Sequence, residues 1–120
     1  MPNKKILICD DDEGILDVLE LMLADISHEI ICELNSLNVP MLIEREQPDL
    51  VILDLWMPVV SGDQLLRAIR ANPVTKHLPV MIISASRDGQ EIAVAAGASA
   101  YMAKPFDMDN LLDTVESFLD

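Results

Sequence analysis

The sequence predicts an α/β fold: one doubly wound, five-stranded parallel sheet flanked by five helices, all within a single domain of residues 1–120. Three features carry that expectation. Short apolar runs recur five times, amphipathic helical periods fill the gaps between them, and two of the runs are apolar from end to end, as strands covered on both faces must be. Strict alternation of strand and helix favours parallel pairing through right-handed crossovers.

The strands expected in chain order are KILIC (5–9), EIICEL (29–34), LVILD (50–54), PVMIISA (79–85) and AYMAK (100–104). Each is rich in Ile, Val or other apolar residues and bounded by Pro, Gly or acidic residues. The first helix places Ile15, Leu16, Leu19, Met22, Leu23 and Ile26 on one face, with Asp17, Glu20 and Asp25 opposite. Asp12 suits its start, because a carboxylate there accepts from free N–H groups and meets the positive end of the helix dipole. The second helix, over about 38–46, must begin near Asn38 or Val39, since Pro40 is tolerated only in a first turn. Leu65, Leu66 and Ile69 mark the third, which Asn72-Pro73 stops. The fourth, 88–96, is short and ends at Gly97. The last is capped by Asp107 and buries Leu111, Leu112, Val115, Phe118 and Leu119.

A formal net charge of −13 argues against direct nucleic-acid binding by this domain, because that affinity comes from Lys and Arg displacing counterions. The acidic excess reads as a solvated surface. No apolar run approaches the roughly 18 residues of a membrane span, and MPNKK has no signal-peptide core behind it, so a cytoplasmic protein without a membrane partner is expected. Cys9 and Cys32 lie in apolar runs without CxxC spacing, which predicts two buried thiols and neither a disulfide nor a metal site. His28 and His77 fall in polar connections, where exposure to solvent is expected.

In doubly wound sheets the ligand site lies beyond the carboxyl ends of the strands. Those ends carry Asp10 and Asp11, then Asp54, then Ser84, then Lys104. Carboxylates and phosphate oxygens are the ligands magnesium prefers, a lysine offers a mobile positive charge, a serine hydroxyl can donate, and a carboxylate can accept a phosphoryl group as an acyl phosphate. The set is a kit for phosphate chemistry.

ILICDDDEG, PDLVILDLWMPVVSG, PVMIISAS and GASAYMAKPF, in that order and spacing, resemble the receiver domains of two-component response regulators over nearly the whole chain. The resemblance implies the flavodoxin-like strand order 2-1-3-4-5. It implies that Asp54 is the phosphoacceptor, that Asp10, Asp11, Asp54 and the backbone carbonyl of Trp56 hold a magnesium ion, and that Ser84 and Lys104 contact the phosphoryl group. Tyr101 matches the aromatic whose rotation reports the switch, the alternative being a half-buried core residue. The Lys104-Pro105 bond is expected to be cis. The donor would be a sensor histidine kinase or a histidine phosphotransfer protein in a phosphorelay. The domain would catalyse its own phosphorylation and dephosphorylation and rearrange the surface of its fourth helix, fifth strand and fifth helix for an output domain or partner protein.

Two departures from the family pattern stand out. Ser84 and Lys104 are about two residues closer in sequence than usual, which predicts a reduced or reoriented fourth helix and with it atypical partners or homodimerisation. Trp56 places an indole two positions after the acceptor, either covering the site, flanking it, or standing as an ordinary exposed aromatic. Two other functions fit parts of the sequence. A haloacid-dehalogenase-like phosphotransferase would use Asp10 as nucleophile and Asp12 as acid/base, and a receiver-like interaction module would ignore phosphate altogether.

Overall fold

The computed structural model describes residues 4–26 and 29–119. His28 lies outside them; His77 is exposed, as its polar setting predicts. In chain order the elements are β1 (Lys5–Cys9), α1 (Glu13–Leu23), β2 (Glu29–Glu33), a 3₁₀ turn (Ser36–Asn38), α2 (Val39–Glu46), β3 (Leu50–Asp54), α3 (Gly62–Ala71), β4 (Val80–Ser84), α4 (Gly89–Ala96), β5 (Ala100–Ala103) and α5 (Met108–Leu119). All pairings are parallel, in the order β2-β1-β3-β4-β5.

Side-chain alternation along the strands divides the core into two layers. Leu7, Cys9, Val51, Leu53, Val80 and Ile82 face α2, α3 and α4; Ile6, Ile8, Leu50, Ile52, Met81 and Ile83 face α1 and α5. β3 and β4 are buried at every residue, which is why neither shows a polar alternation in sequence.

The helix ends follow the local chemistry. Asp12 caps α1 by accepting the Gly14 N–H at 2.9 Å, and α1 stops at Leu23, short of Ile26, which still packs on the α1/α5 layer from the following turn. Pro40 stands in the first turn of α2, Ser61 and Gln64 form a capping box at α3, and Asp107 accepts the Asn110 N–H at the start of α5. α4 has eight residues, just over two turns, against ten to twelve in α1, α3 and α5. α2 has the same length. α4 closes on Gly97, whose φ of 96° favours glycine.

Cys32 corrects the expectation of two buried thiols: Cys9 is buried but Cys32 is exposed, and both are free. β2 is an edge strand, and Cys32 stands at one of its solvent-facing positions. Among the described residues no helix is long and apolar enough to cross a membrane.

Val59, in the turn between β3 and α3, adopts a φ of 72°. A β-branched side chain in that region clashes with its own backbone at a cost of roughly 1–2 kcal/mol, and at 76% exposure burial does not offset it. The turn is held by Ser36, whose hydroxyl donates to the Pro58 carbonyl at 3.0 Å and accepts from the Val60 N–H at 3.4 Å. Val59→Asn, which tolerates this conformation, is expected to raise stability by about 1 kcal/mol, and equilibrium denaturation of the two proteins checks it.

Candidate active site at the carboxyl edge of the sheet

The ends of β1, β3 and β5 bring Asp10, Asp54 and Lys104 together. Each continues the alternation that faces α1 and α5, following Ile8, Ile52 and Met102. Asp10 is fully buried. Its Oδ1 accepts the Asp12 N–H at 2.9 Å and its Oδ2 accepts Lys104 Nζ at 2.9 Å. The same ammonium lies 3.2 Å from Asp54 Oδ1, so one lysine bridges two carboxylates. The Lys104-Pro105 bond is cis, as expected.

Asp11 is exposed at the mouth, and Asp10, Asp11 and Asp54 each offer an oxygen within 4.8 Å of the others. The widest oxygen pair in a magnesium octahedron is about 4.2 Å apart, twice the metal–oxygen distance, so a small contraction would let these three hold such an ion. The remaining acid of the run, Asp12, is spent on the helix cap.

Burial sets the electrostatics. Loss of water, then the charge of Asp10, pushes the Asp54 carboxyl up to about 6, although Lys104 pulls the other way. For Lys104, burial works against the charge, but its hydrogen bond to Asp10 and the charges of Asp10 and Asp54 outweigh it and raise the ammonium above the usual lysine range. Burial, followed by Glu33 and Asp10, drives the Cys9 thiol up to about 12, so it stays protonated beside Met57, whose sulfur is 3.5 Å away.

Ser84 and Tyr101 face the other layer. Ser84 follows Val80 and Ile82, and Tyr101 packs against the core under α2, α3 and α4. The Ser84 carbonyl accepts the Lys104 N–H at 2.8 Å and the Tyr101 hydroxyl at 3.4 Å. Tyr101 is thus already turned in toward Ser84. Gly89 makes this arrangement possible: a Cβ there would stand 2.6 Å from the Tyr101 hydroxyl and 3.0 Å from Ser84 Cβ. Gly62 has a similar role below the site, where a Cβ would strike the carbonyl of Asp54.

Trp56 is about half exposed and flanks the site, its Nε1 donating to Ser86 Oγ at 3.1 Å. Ser86 and Gly89 escaped the sequence reading. The Ser-Ala-Ser spacing at 84–86 was a usable signal, since a serine two residues before another backbone N–H commonly accepts from it, as Ser84 does from Ser86 at 3.0 Å. Nothing in the sequence marks Gly89 as more than a helix-starting glycine.

The geometry leaves Asp10 and Asp12 unsuited to nucleophile and acid/base. Asp10 is buried with both oxygens engaged, and Asp12 is turned to its helix.

Residues 6–116 match the family model described as the response regulator receiver domain. The chain is 31% identical over 121 residues to sporulation initiation phosphotransferase F of Bacillus subtilis, covering 99% of this chain and 96% of that protein. It is 32% identical over 117 residues to the phosphate regulon transcriptional regulatory protein PhoB of Rhizobium meliloti, covering 96% of this chain and 52% of that one. It therefore spans nearly all of the first relative and about half of the second. Among solved structures, a candidate response regulator from Chloroflexus aurantiacus J-10-fl superposes with a TM-score of 0.92 at 29% identity, over 98% of each chain.

The Asp54 carboxyl carries a stability consequence. It holds its proton up to about pH 6 when folded, against 3.8 ordinarily. Between those values the native state binds more protons than the unfolded one, so stability falls as pH rises through that window. In metal-free buffer, Asp54→Asn is expected to be more stable than the parent at pH 7 by about 1–3 kcal/mol. The gap should close as pH falls toward 4, measured by urea unfolding at a series of pH values.

Proposed function

The chain belongs to the response regulator receiver domain family, and from that premise we propose that Asp54 is its phosphoacceptor, with residues 1–120 forming one receiver unit. Receiver domains of response regulators act with histidine kinases and output domains. The observation that carries the assignment is Lys104, held between Asp10 and Asp54 at hydrogen-bonding distance of both. Two buried carboxylates with one ammonium between them make a charged pocket that a phosphoryl group and a cation can share.

In the transfer, an Asp54 carboxylate oxygen attacks the phosphorus of a phosphohistidine. The O–P bond forms as the P–N bond breaks, and the bonding pair returns to the ring nitrogen. With its other nitrogen protonated, the ring leaves as neutral imidazole and the acyl phosphate keeps both phosphoryl charges. Lys104 is already within 3.2 Å of the acceptor carboxylate and can follow the new charge to a phosphoryl oxygen. Ser84 donates to another. Asp10, Asp11, Asp54 and the Trp56 carbonyl would hold magnesium, which supplies positive charge to the phosphoryl oxygens when bound. Later attack by water regenerates the carboxylate and releases phosphate, a reaction the domain catalyses on itself.

Phosphorylation draws Ser84 toward the site. Because the Ser84 carbonyl is shared with Tyr101 and Gly89 packs against both, the change passes to α4, β5 and α5. The donor is a sensor histidine kinase or a histidine phosphotransfer protein in the cytoplasm. The phosphorelay reading is favoured by the likeness to a relative named as a phosphotransferase over almost its full length. DNA output, as in the transcriptional relative's name, would belong to another segment or a partner, since this domain is strongly acidic.

Acetyl phosphate with magnesium is expected to load one phosphoryl group per chain, read by intact mass, and Asp54→Ala should load none. Loading that survives Asp54→Ala would move the acceptor elsewhere. Magnesium at a hundred times its dissociation constant should also stabilise the domain by about 2.7 kcal/mol, and Asp11→Ala should shift that effect to higher magnesium concentration.

A further inference from the structure

Beside the acidic pocket runs a second set of contacts that the transfer chemistry does not require. The Trp56 indole Nε1 lies 3.1 Å from Ser86 Oγ, and Ser86 Oγ lies 2.9 Å from Ser84 Oγ. Ser84 Oγ also accepts the Ser86 N–H at 3.0 Å. An indole N–H can only donate, whereas each hydroxyl has one hydrogen to give and can accept two.

The pair of hydroxyls can run in either sense: Ser84 donating to Ser86, or Ser86 to Ser84. In the first sense the Ser84 hydrogen is consumed within the pair. In the second, Ser84 Oγ accepts twice and its own hydrogen is left for another acceptor. A hydroxyl that accepts a hydrogen bond becomes a better donor, so a head-to-tail chain strengthens each of its links. With an anion on Asp54, on the strand next to β4, a chain from Trp56 through Ser86 to Ser84 ends as a donor to that anion.

We infer that Trp56 is a positioning residue for phosphoryl binding: its indole N–H, acting through Ser86, turns the Ser84 hydroxyl outward as a donor to the phosphoryl group. The inference rests on Asp54 as acceptor. It explains a feature that shielding would not: a half-exposed ring whose one polar atom is directed at a serine hydroxyl instead of at water. Neither Trp56 nor Ser86 touches the phosphoryl group in this account.

The test uses the whole chain with beryllium fluoride and magnesium, a phosphoryl mimic that binds the acceptor carboxylate without turnover. Trp56→Phe keeps an aromatic ring and removes the indole N–H together with the five-membered ring that carries it; Ser86→Ala removes the link. Each should weaken beryllium fluoride binding by about threefold to tenfold, the range of one hydrogen bond. The double variant should be no weaker than Ser86→Ala alone, since Trp56 has nothing to act through once Ser86 is gone. Wild-type affinity in Trp56→Phe would overturn the inference, and so would losses that add in the double variant, the signature of a packing role. If the wild type itself binds no beryllium fluoride, the acceptor assignment falls and the inference with it. Wild-type binding with an unaffected Trp56→Phe removes the inference alone.

Discussion

Two carboxylates buried beside a single ammonium are the constraint around which the carboxyl edge of this sheet is organised. At an effective dielectric near 20, like charges about 4 Å apart repel by roughly 4 kcal/mol, and Asp10 has no water to reduce that. Lys104 offsets the repulsion by bridging both from the end of β5, which pairs with β4 at the edge of the sheet. The relief is partial. Burial and the charge of Asp10 still push the Asp54 carboxyl up to about 6, so ionising it is unfavourable and a neighbouring cation would offset that cost.

The period of two along each strand gives the same edge a second property. Asp10, Asp54 and Lys104 follow residues that face α1 and α5, while Ser84 and Tyr101 follow residues that face α2, α3 and α4. The chemistry and the helix α4 therefore occupy opposite sides of one sheet. Ser84 joins them, because it ends a strand adjacent to that of Asp54 and its carbonyl meets Tyr101. A pull on one hydroxyl can be felt on the far face without any large movement of the sheet. The short α4 tightens this connection, since its first residue, Gly89, lies directly against both Ser84 and the Tyr101 hydroxyl.

On the opposite edge from the site, Arg70 does comparable work for stability. Its guanidinium donates to the carbonyls of Gly97, Lys76 and Leu78 and to Ser99 Oγ, tying the end of α3 to the loops on either side of β4 and α4. α4 is thus anchored at its carboxyl end by Arg70 and packed at its amino end against the serine and the tyrosine.

The sequence by itself determined the alternation of strands and helices, the caps at Asp12 and Asp107, the stop at Gly97 and the five chemistry-bearing residues at strand ends. These depend on local rules: apolar period, capping oxygens, and which residue types can hold a cation or accept a phosphoryl group. It misjudged Cys32, because an apolar run does not reveal whether its strand will be central or at the edge. Only the tertiary structure decided that Lys104 divides itself between Asp10 and Asp54, that Tyr101 is turned inward against Ser84 and Gly89, and that Trp56 reaches Ser86. Those contacts join residues far apart in the chain, and their distances are set by strand register and by where each helix begins. No spacing in one dimension contains either.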